Sequence, residues 1–377
     1  MALIYHKVSN HIPNDLVFSI LSKLPLKSMK RFKCVHKSWA LSIETPDFKS
    51  EFLKNFISKY DSSYDDECLL LKQTIPGNDD YRCAVYILSG ERFETKVKLE
   101  LPLPFQYDDT CIDISGSSIN GTICLFQGID HKTFVLWNPT TREFKVIPPS
   151  NVGSLYYIKG LTTIQGFGYD SVKDDYKVIQ HVKLLPFNSR VVMPKIYKNL
   201  WEIYSLKSKS WRKLDVDMPC RDTNIDDVYM NGMCHWWGIR NNGEYLVSFD
   251  LSDEVFLTTQ VPLDMYVFSK YVERHLTVLN MFISLLTYHE YRACFEIFVL
   301  GELGLMESWT KLFVVRPFHG VEHPIGVGKK GHIFFQKEND ELAYFDLCTG
   351  ILEDIGIQGE LFNCQIVIYK ENIIRLP

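Results

Sequence analysis

The stretch LWNPTTREF, residues 136–144, places two apolar runs on either side of a polar turn. Asn and Pro favour a tight turn, whereas the flanking Leu, Trp and Phe favour strands. Five other stretches share this layout: VYILSGERF (85–93), IYSLKSKSW (203–211), SFDLSDEVF (248–256), IFVLGELGLMESW (297–309) and YFDLCTGIL (344–352). The chain therefore contains six predicted hairpins of one kind.

One aromatic residue near the start of each hairpin marks this repeat. The markers are Tyr86, Trp137, Tyr204, Phe249, Phe298 and Phe345, and their successive spacings are 51, 67, 45, 49 and 47 residues. Such spacing suits propeller blades of four strands each. The sequence therefore predicts an all-β, propeller-like body related to kelch repeats, although the paired glycines of a strict kelch motif are missing. An irregular β-sandwich is the alternative, because hairpin periodicity fits both folds.

Two apolar stretches refine the prediction for the body. CQIVIYKENIIRL, residues 364–376, is suited to a further strand that closes a ring with the first blade and removes exposed sheet edges. LTVLNMFISLLTY, residues 276–288, is shorter than the ~20 residues that span a bilayer. It is predicted as a pair of buried strands, and no membrane partner is expected.

The first 60 residues have a helical pattern instead. Apolar residues between positions 16 and 24 fall on one stripe of a helix bounded by Pro13 and Pro25. A second predicted helix covers a basic run that follows Pro25, and a third begins near position 46 with phenylalanines at 48, 52 and 56. Three short helices make a small core, so a bound partner is expected to cover the remaining apolar surface.

Five phrases of this head, in order, resemble the F-box motif of plant F-box proteins. They are Ile12-Pro13-Asn14-Asp15-Leu16, Ile20-Leu21, Leu24-Pro25-Leu26-Lys27-Ser28, Arg31-Phe32-Lys33-Cys34-Val35 and Lys37-Ser38-Trp39. The resemblance implies docking onto a Skp-type adaptor and, through it, onto a cullin and a RING protein. The candidate adaptor-binding residues are Pro13, Leu16, Ile20, Leu21, Leu24, Pro25, Leu26, Met29, Phe32, Val35 and Trp39.

The body resembles the F-box associated interaction domain that follows the F-box in many plant proteins, including the S-locus F-box proteins. The matching phrases are residues 136–142 (LWNPTTR), 166–170 (GFGYD), 175–178 (DYKV), 204–206 (YSL), 210–212 (SWR), Asn231-Gly232, His235-Trp236 and 248–250 (SFD). This resemblance implies a substrate receptor without catalytic activity of its own.

Together these observations predict an α+β chain with three parts. Residues 8–56 form a three-helix F-box, residues 57–67 a linker, and residues 68–377 a propeller-like substrate-recognition domain. The expected function is substrate recognition in an SCF-type ubiquitin ligase, which directs a target protein to ubiquitination and proteasomal degradation. The alternative is a stand-alone protein- or glycan-binding propeller without a ligase role.

Charge is distributed unevenly along the chain. The formal net charge is −5, with +6 in residues 1–60 and −11 in the remainder. An acidic body disfavours nucleic-acid binding. Within that body, residues 181–199 carry Lys183, Arg190, Lys195 and Lys198 and no acidic residue. Because prolines at 186 and 194 disfavour a continuous strand, we predict an exposed excursion that contacts an acidic target. A solvated hairpin with incidental lysines is the alternative.

No residue pattern in the sequence supports a catalytic, metal or cofactor site. The ten cysteines include no C-x-x-C pair, which argues against zinc and, with no signal-like N-terminus, favours the cytoplasm or nucleus. Gly326, Gly328 and Gly331 spell G-x-G-x-x-G, but a strand-like run follows where a dinucleotide loop needs a helix. Adjacent Cys234 and His235 would point to opposite faces of a strand. The acidic pairs at 174–175 and 226–227 are interpreted as solvated turns.

Overall fold

A computed structural model shows a six-bladed β-propeller preceded by four helices. It describes residues 12–58, 67–76, 81–106, 112–127, 133–150, 158–186, 200–220, 227–240, 243–262, 272–289, 294–315, 320–328, 331–359, 364–373 and 375–376. Within these ranges, no helix is long and apolar enough to cross a membrane.

The secondary structure follows one simple order, with helices first and strands afterwards. The helices are α1 (Asn14–Ser22), α2 (Leu26–Lys33), α3 (Lys37–Ile43) and α4 (Pro46–Ser58). The strands are β1 (Glu67–Pro76), β2 (Tyr81–Ser89), β3 (Thr95–Lys98), β4 (Ile112–Ile119), β5 (Thr122–Gln127), β6 (Phe134–Asn138), β7 (Glu143–Ile147), β8 (Ile158–Asp170), β9 (Asp175–Pro186), β10 (Leu200–Ser205), β11 (Ser210–Leu214), β12 (Asp227–Met230), β13 (Met233–Arg240), β14 (Gly243–Asp250), β15 (Phe256–Gln260), β16 (Val272–Leu279), β17 (Phe282–His289), β18 (Cys294–Leu300), β19 (Trp309–Val315), β20 (Val321–Val327), β21 (His332–Lys337), β22 (Glu341–Asp346), β23 (Ile351–Gln358) and β24 (Gln365–Lys370).

The strands form six antiparallel sheets of four strands each. Blade 1 has the order β24-β1-β2-β3, and blades 2 to 6 take the following strands four at a time, from β4 to β23. The first strand of each blade contacts the first strands of its neighbours around a central axis. This arrangement confirms the predicted propeller, and the irregular β-sandwich is not found.

The ring is closed by the end of the chain, as the apolar stretch at 364–376 predicts. β24 is the innermost strand of blade 1 and pairs with β1 from Glu67↔Lys370 to Lys72↔Gln365. Beyond β24, the side-chain amide of Asn138 donates to the carbonyl of Asn372 over 2.9 Å. Leu376 is buried among residues of blades 2 and 3. The chain end is therefore both a strand of blade 1 and a tie to the next two blades.

Each repeated sequence phrase covers the end of the third strand of a blade and the turn that leads to the fourth strand, and five of the six reach into that fourth strand. At the end of the third strand, a side-chain oxygen of Asn138, Asp250 or Asp346 accepts backbone N–H groups two or three residues ahead, at distances of 2.7–3.3 Å. These Asx turns satisfy donors that the sheet leaves unpaired and so fix the hairpin. The recurring Asn or Asp is thus a turn residue, and the adjacent aromatic belongs to the blade core.

The head contains four helices where the sequence pattern predicts three. The predicted second helix is interrupted at His36, whose backbone is extended (φ −145°, ψ 132°). Nδ1 of His36 accepts the backbone N–H of Ser38 over 3.3 Å, which caps the start of α3. The apolar pattern does not reveal this break, because apolar residues occur both before it in α2 and after it in α3.

The head and the propeller share one hydrophobic core. Phe48, Phe52 and Phe56 on α4 are buried with residues of blades 5 and 6. The ring centroids of Phe56 and Phe282 are 5.5 Å apart, and Nδ2 of Asn280 donates to the carbonyl of Phe56 over 2.9 Å. The helices therefore pack directly on the propeller. Residues 59–66 lie outside the described ranges, and α4 extends to Ser58, so the predicted linker and domain boundaries stay predictions.

Candidate interaction surfaces

The head carries an apolar face that the propeller does not cover. Ile12, Leu16 and Ile20 follow one another at four-residue intervals and are 52%, 52% and 54% exposed. Phe32 and Val35, at and beyond the end of α2, are 36% and 65% exposed. Large exposed apolar residues in this density are typical of a protein-binding surface. We call these five residues the open head face.

The predicted adaptor-binding residues separate into two groups. Pro13, Leu16, Ile20, Pro25, Phe32 and Val35 are exposed. Leu21 and Met29 are buried in the core shared with the propeller, and Leu24 and Trp39 are half-buried against it. The side chain of Leu26 lies outside the described residues. The amphipathic pattern identifies these residues as apolar, but it does not separate those facing the propeller from those facing outwards.

Ile12 belongs to the open head face but is absent from the adaptor-binding residues predicted from the sequence. Its spacing from Leu16 and Ile20 places it on the same stripe, extended by one turn before α1. Ile12 therefore could have been found from periodicity alone. Leu41 on α3, which is 65% exposed, has no comparable sequence signal.

The two ends of the propeller differ in the lengths of their connections. One end, which we call the head-side end, carries the turn between β16 and β17 that contacts α4. Turns there are mostly two to four residues, as between β4 and β5 or β12 and β13. At the opposite end, which we call the far end, connections between successive blades reach 10 to 13 residues, such as those after β3, β7, β11 and β15. The head and the C-terminal tail both occupy the head-side end.

The predicted basic excursion begins later than the sequence indicates. His181 is buried in β9 and its ring lies 5.0 Å from that of Trp201, so the segment from His181 to Pro186 is strand. Lys183 is half-buried there. Arg190, Lys195 and Lys198 lie outside the described residues. Because β9 runs towards the far end, the segment that joins it to β10 starts and finishes at that end.

Buried polar residues close the gap between blades 2 and 3 near the far end. Glu202 is 2% exposed; one of its carboxylate oxygens accepts from Nε2 of Gln180 over 2.7 Å, and the other accepts from Oγ of Ser150 over 2.9 Å. Burial of a carboxylate is tolerated when donors satisfy it. These residues are therefore part of the framework that supports the far end.

Two acidic residues that the sequence suggested as solvated are buried, which corrects that interpretation. Asp227 is 8% exposed on the inner strand β12, accepts from Oγ of Ser115 at 2.8 and 2.9 Å, and accepts the N–H of Phe167 at 3.3 Å. It therefore joins blades 2, 3 and 4 beside a central cavity of about 100 Å³. Asp175 is 4% exposed and accepts from Oγ of Ser205 and the N–H of Lys207. Asp226 lies outside the described residues.

Blade 3 is joined to blade 4 by a buried ion pair at the head-side end. Nζ of Lys177 lies 2.8 Å from Oδ2 of Asp170 and donates to the carbonyl of Leu251 over 2.6 Å. Burial by itself would raise the pKa of Asp170, but hydrogen bonds from Lys177 and Ser252 outweigh it and lower the pKa to about 2. Asp170 is therefore an ionised structural residue at neutral pH.

The residues considered for catalysis have structural roles. A Cβ at Gly326 would lie 2.1 Å from the carbonyl of Ile366, so this glycine allows β20 to approach β24 at the ring closure. Cys234 is fully buried, which raises the pKa of its thiol well above the ordinary value. Burial lowers the pKa of His235 to about 4, and its Nδ1 lies 2.8 Å from Oγ of Ser248. Gly326 therefore contributes to ring closure, and Cys234 and His235 are buried in blade 4.

Comparison with known proteins gives two family matches. Residues 10–51 match the F-box domain, and residues 82–372 match the F-box associated beta propeller domain. An F-box protein of Arabidopsis thaliana is 30% identical over 264 residues, which cover 67% of this chain and 54% of that protein. The chain thus spans about half the length of this relative.

Other relatives match over most of both chains. The F-box protein CPR1 of Arabidopsis thaliana is 24% identical over 366 residues, covering 89% of this chain and 82% of that one. An F-box/kelch-repeat protein of the same plant is 24% identical over 360 residues, covering 90% and 89%. Among solved structures, TolB from Acinetobacter baumannii is similar with a TM-score of 0.48 and 9% identity over 86% of this chain and 73% of that chain.

The two matched domains account for the helical head and for the six blades, in the order in which they occur along the chain. The F-box match covers the helices that carry the open head face. The propeller match extends from β2 to the residues just beyond β24. This chain therefore belongs to the family of F-box proteins that carry an F-box associated β-propeller domain.

Proposed function

We propose that this protein is a substrate-recognition subunit of an SCF-type ubiquitin ligase. Its F-box binds a Skp-type adaptor and, through the adaptor, a cullin and a RING protein. Its propeller binds a target protein, which is then ubiquitinated and degraded by the proteasome. The protein itself is not an enzyme, and the reduced thiols expected from its cysteine pattern support a location in the cytoplasm or nucleus.

The open head face is the observation that carries this proposal. Leu21 and Met29 are buried in the core shared with the propeller, whereas Leu16, Ile20 and Phe32 on the same helices remain at the surface. Exposed apolar anchors of this kind dominate binding energy when a partner buries them. The adaptor therefore has a prepared surface on α1 and α2.

Target recognition is expected at the far end of the propeller. The head and the tail cover much of the head-side end, and the turns there are tied down by their own side chains. The longer inter-blade connections lie at the far end, and long loops on a rigid framework commonly carry binding residues. Lys183 with Arg190, Lys195 and Lys198 would there favour an acidic target.

The mechanism is positional. The shared core of α4 with blades 5 and 6 fixes the head relative to the propeller, so a target held by the propeller takes a defined position relative to the ligase. Holding two reactants together raises their effective concentration without any chemistry by the receptor itself. The conjugating enzyme supplied by the RING protein performs the transfer to target lysines.

Adaptor binding is tested with the variant Leu16→Ala/Ile20→Ala. Both side chains are more than half exposed, so the fold should persist while two anchors are lost. We expect affinity for a purified Skp-type adaptor to fall by at least about tenfold, measured by calorimetry. Val172→Ala is the matched control, since Val172 is 79% exposed on blade 3, and it should bind as the wild type does. Undiminished binding by the double variant contradicts the proposal.

Target binding is tested separately by proximity labelling in plant cells treated with a proteasome inhibitor. The charge-reversed variant K183E/R190E/K195E/K198E should label fewer acidic proteins than the wild type, while its adaptor affinity is unchanged. Equal labelling by both forms would remove the basic segment from the proposed recognition surface and leave the adaptor role untouched.

A further inference from the structure

A cavity lies at the joint between the head and blade 5, away from the open head face. It has a volume of about 220 Å³ and is lined by α2, α3 and α4 on one side and by β19 on the other. Its lining includes Lys33, Glu44 and Lys49 from the head and Thr310 from β19. The cavity therefore exists only where the two domains meet.

The interior of the cavity is apolar. Met29, Ile43, Phe48 and Phe52 are each at most 7% exposed and belong to the shared core, and Leu312 and Phe313 are packed against that core. In another protein, an apolar cavity of ~150 Å³ binds benzene. A cavity of this size and lining has room for an aromatic ring or a medium-length alkyl chain.

The mouth of the cavity is positively charged. Lys33 and Lys49 both pair with Glu44, so two ammonium groups share a single carboxylate there. Hydrogen bonds from both lysines lower the pKa of Glu44, and the bond from Lys33 has the larger effect. The third lysine, Lys311, lies 3.0 Å from Oε2 of Glu296 on β18. Lys33, Glu44 and Lys49 together therefore carry one net positive charge.

We propose that this joint cavity binds a small amphipathic carboxylate, with its apolar part among the phenylalanines and its carboxylate at the mouth, beside the ammonium groups of Lys33 and Lys49. The apolar floor selects an alkyl or aryl group, and the excess ammonium charge selects an anion over a cation or a neutral molecule. Such a ligand would touch the head and blade 5 at once. It would therefore brace the joint that sets the orientation of the propeller relative to the ligase.

The inference is tested by titrating the full-length protein with sodium octanoate, octylammonium chloride and 1-octanol below their aggregation concentrations. Calorimetry should show saturable one-to-one binding of octanoate. Octylammonium, which has the same chain and the opposite charge, should bind roughly tenfold more weakly or not at all, since a charge-assisted contact is replaced by repulsion. Equal binding of both ions, or no saturable binding of octanoate, overturns the proposal.

Variants locate the site. Lys33→Gln/Lys49→Gln keeps long side chains but removes the charge, and it should weaken octanoate roughly tenfold while 1-octanol is little affected. Lys54→Gln is the matched control, because Lys54 is exposed on α4 and does not line the cavity. Thr310→Trp should fill the cavity and weaken octanoate and 1-octanol alike. Thermal unfolding of each variant verifies that it is folded.

If the lysine variant binds octanoate as the wild type does, the charged mouth is not the recognition element and the proposal is wrong. If Thr310→Trp is unfolded, Thr310→Leu replaces it as a smaller filling residue, with the same expected direction. Octanoate binding is measured without an adaptor or a target, so its outcome is independent of the ligase role.

Discussion

Single buried acids hold neighbouring blades together near the axis and at the head-side end. Asp227 accepts hydrogen bonds from blades 2 and 3 while it lies on blade 4. Asp170 connects the first turn of blade 3 to the turn between the last two strands of blade 4 through Lys177 and Ser252. Inter-blade contacts in this protein are therefore polar as well as apolar.

Asp227→Ala should lower the free energy of unfolding by about 3 kcal/mol, because the hydroxyl of Ser115 and the N–H of Phe167 lose their buried acceptor. Urea denaturation followed by tryptophan fluorescence measures the change. Asp253→Ala, at an exposed turn position, is the control and should change stability by less than about 0.5 kcal/mol. A similar cost for both variants would show that Asp227 does not join the blades.

Asp170 should make the stability of the protein depend on acid pH. Its pKa falls from 3.8 to about 2 on folding, so its stabilisation is complete above about pH 4 and is lost as the pH falls towards 2. The shift corresponds to roughly 2 kcal/mol. Asp170→Asn should therefore flatten the stability profile between pH 4 and pH 2 in denaturant titrations. Identical slopes for both proteins in this window would contradict the assignment.

At the scale of elements, the hairpins are the part that the sequence predicts best. Each repeated phrase has both apolar runs and a polar turn between them, so two independent patterns agree on its position. The division of the head into α2 and α3 is missed, because it depends on the extended backbone of His36 and on one capping contact. The burial of Asp175 and Asp227 is missed for a related reason, since partners from distant strands decide it.

Three two-residue hairpins on inner strands require positive φ at both turn positions: Asn120-Gly121, Asn231-Gly232 and Asn280-Met281. Met281 has φ 62° without being glycine, which costs conformational energy. We expect Met281→Gly to raise the free energy of unfolding by about 0.5–1 kcal/mol. The matched change Gly232→Ala, at φ 80° with open space around the new Cβ, should lower it by about 1 kcal/mol.

Thermal or urea denaturation of the two turn variants gives the signs. Opposite signs are the decisive result, because both sites occupy the same position in the same kind of turn. If Met281→Gly does not stabilise the protein, the contacts of the Met281 side chain contribute more free energy than its backbone conformation costs.

At the scale of the whole molecule, the head is an extension of the core of blades 5 and 6. A sequence pattern gives the apolar stripe of α4 but not the surface that receives it, so the packing of the head on the propeller is not predicted from the sequence. The structure predicts that removal of residues 1–60 exposes the apolar residues beneath Phe52 and Phe56. The six blades themselves follow from the six phrases and their spacing.

Phe56→Ala should destabilise the protein by about 3–5 kcal/mol, because it empties a site between Phe52 and Phe282. The head and the propeller of this variant should also unfold in separate transitions. Proteolysis of the head monitors the first transition, and far-ultraviolet circular dichroism monitors the second. Phe32→Ala is the matched control on the open head face, where the loss should be less than about 1 kcal/mol. Equal losses at both sites would argue against the shared core.

Shortening the chain at two points tests the ring closure. A protein that ends at Gly359 lacks β24 and should fail to form a stable propeller. A protein that ends at Lys370 keeps β24 but loses Leu376, and it should fold with a loss of about 2–3 kcal/mol. Circular dichroism and urea denaturation distinguish the two. A stable fold after removal of β24 would contradict closure by that strand.

Because the last strand closes the ring, the propeller cannot be completed until synthesis of the chain is almost finished. About 290 residues separate β1 from its partner β24, so at roughly 5–20 residues per second the ribosome needs tens of seconds to deliver the missing neighbour. Throughout that interval, one edge of β1 is unpaired. The phenylalanines of α4 also stay unburied until blades 5 and 6 have been synthesised. An incomplete chain that lacks β24 therefore keeps an unpaired strand edge on β1, and such edges favour aggregation.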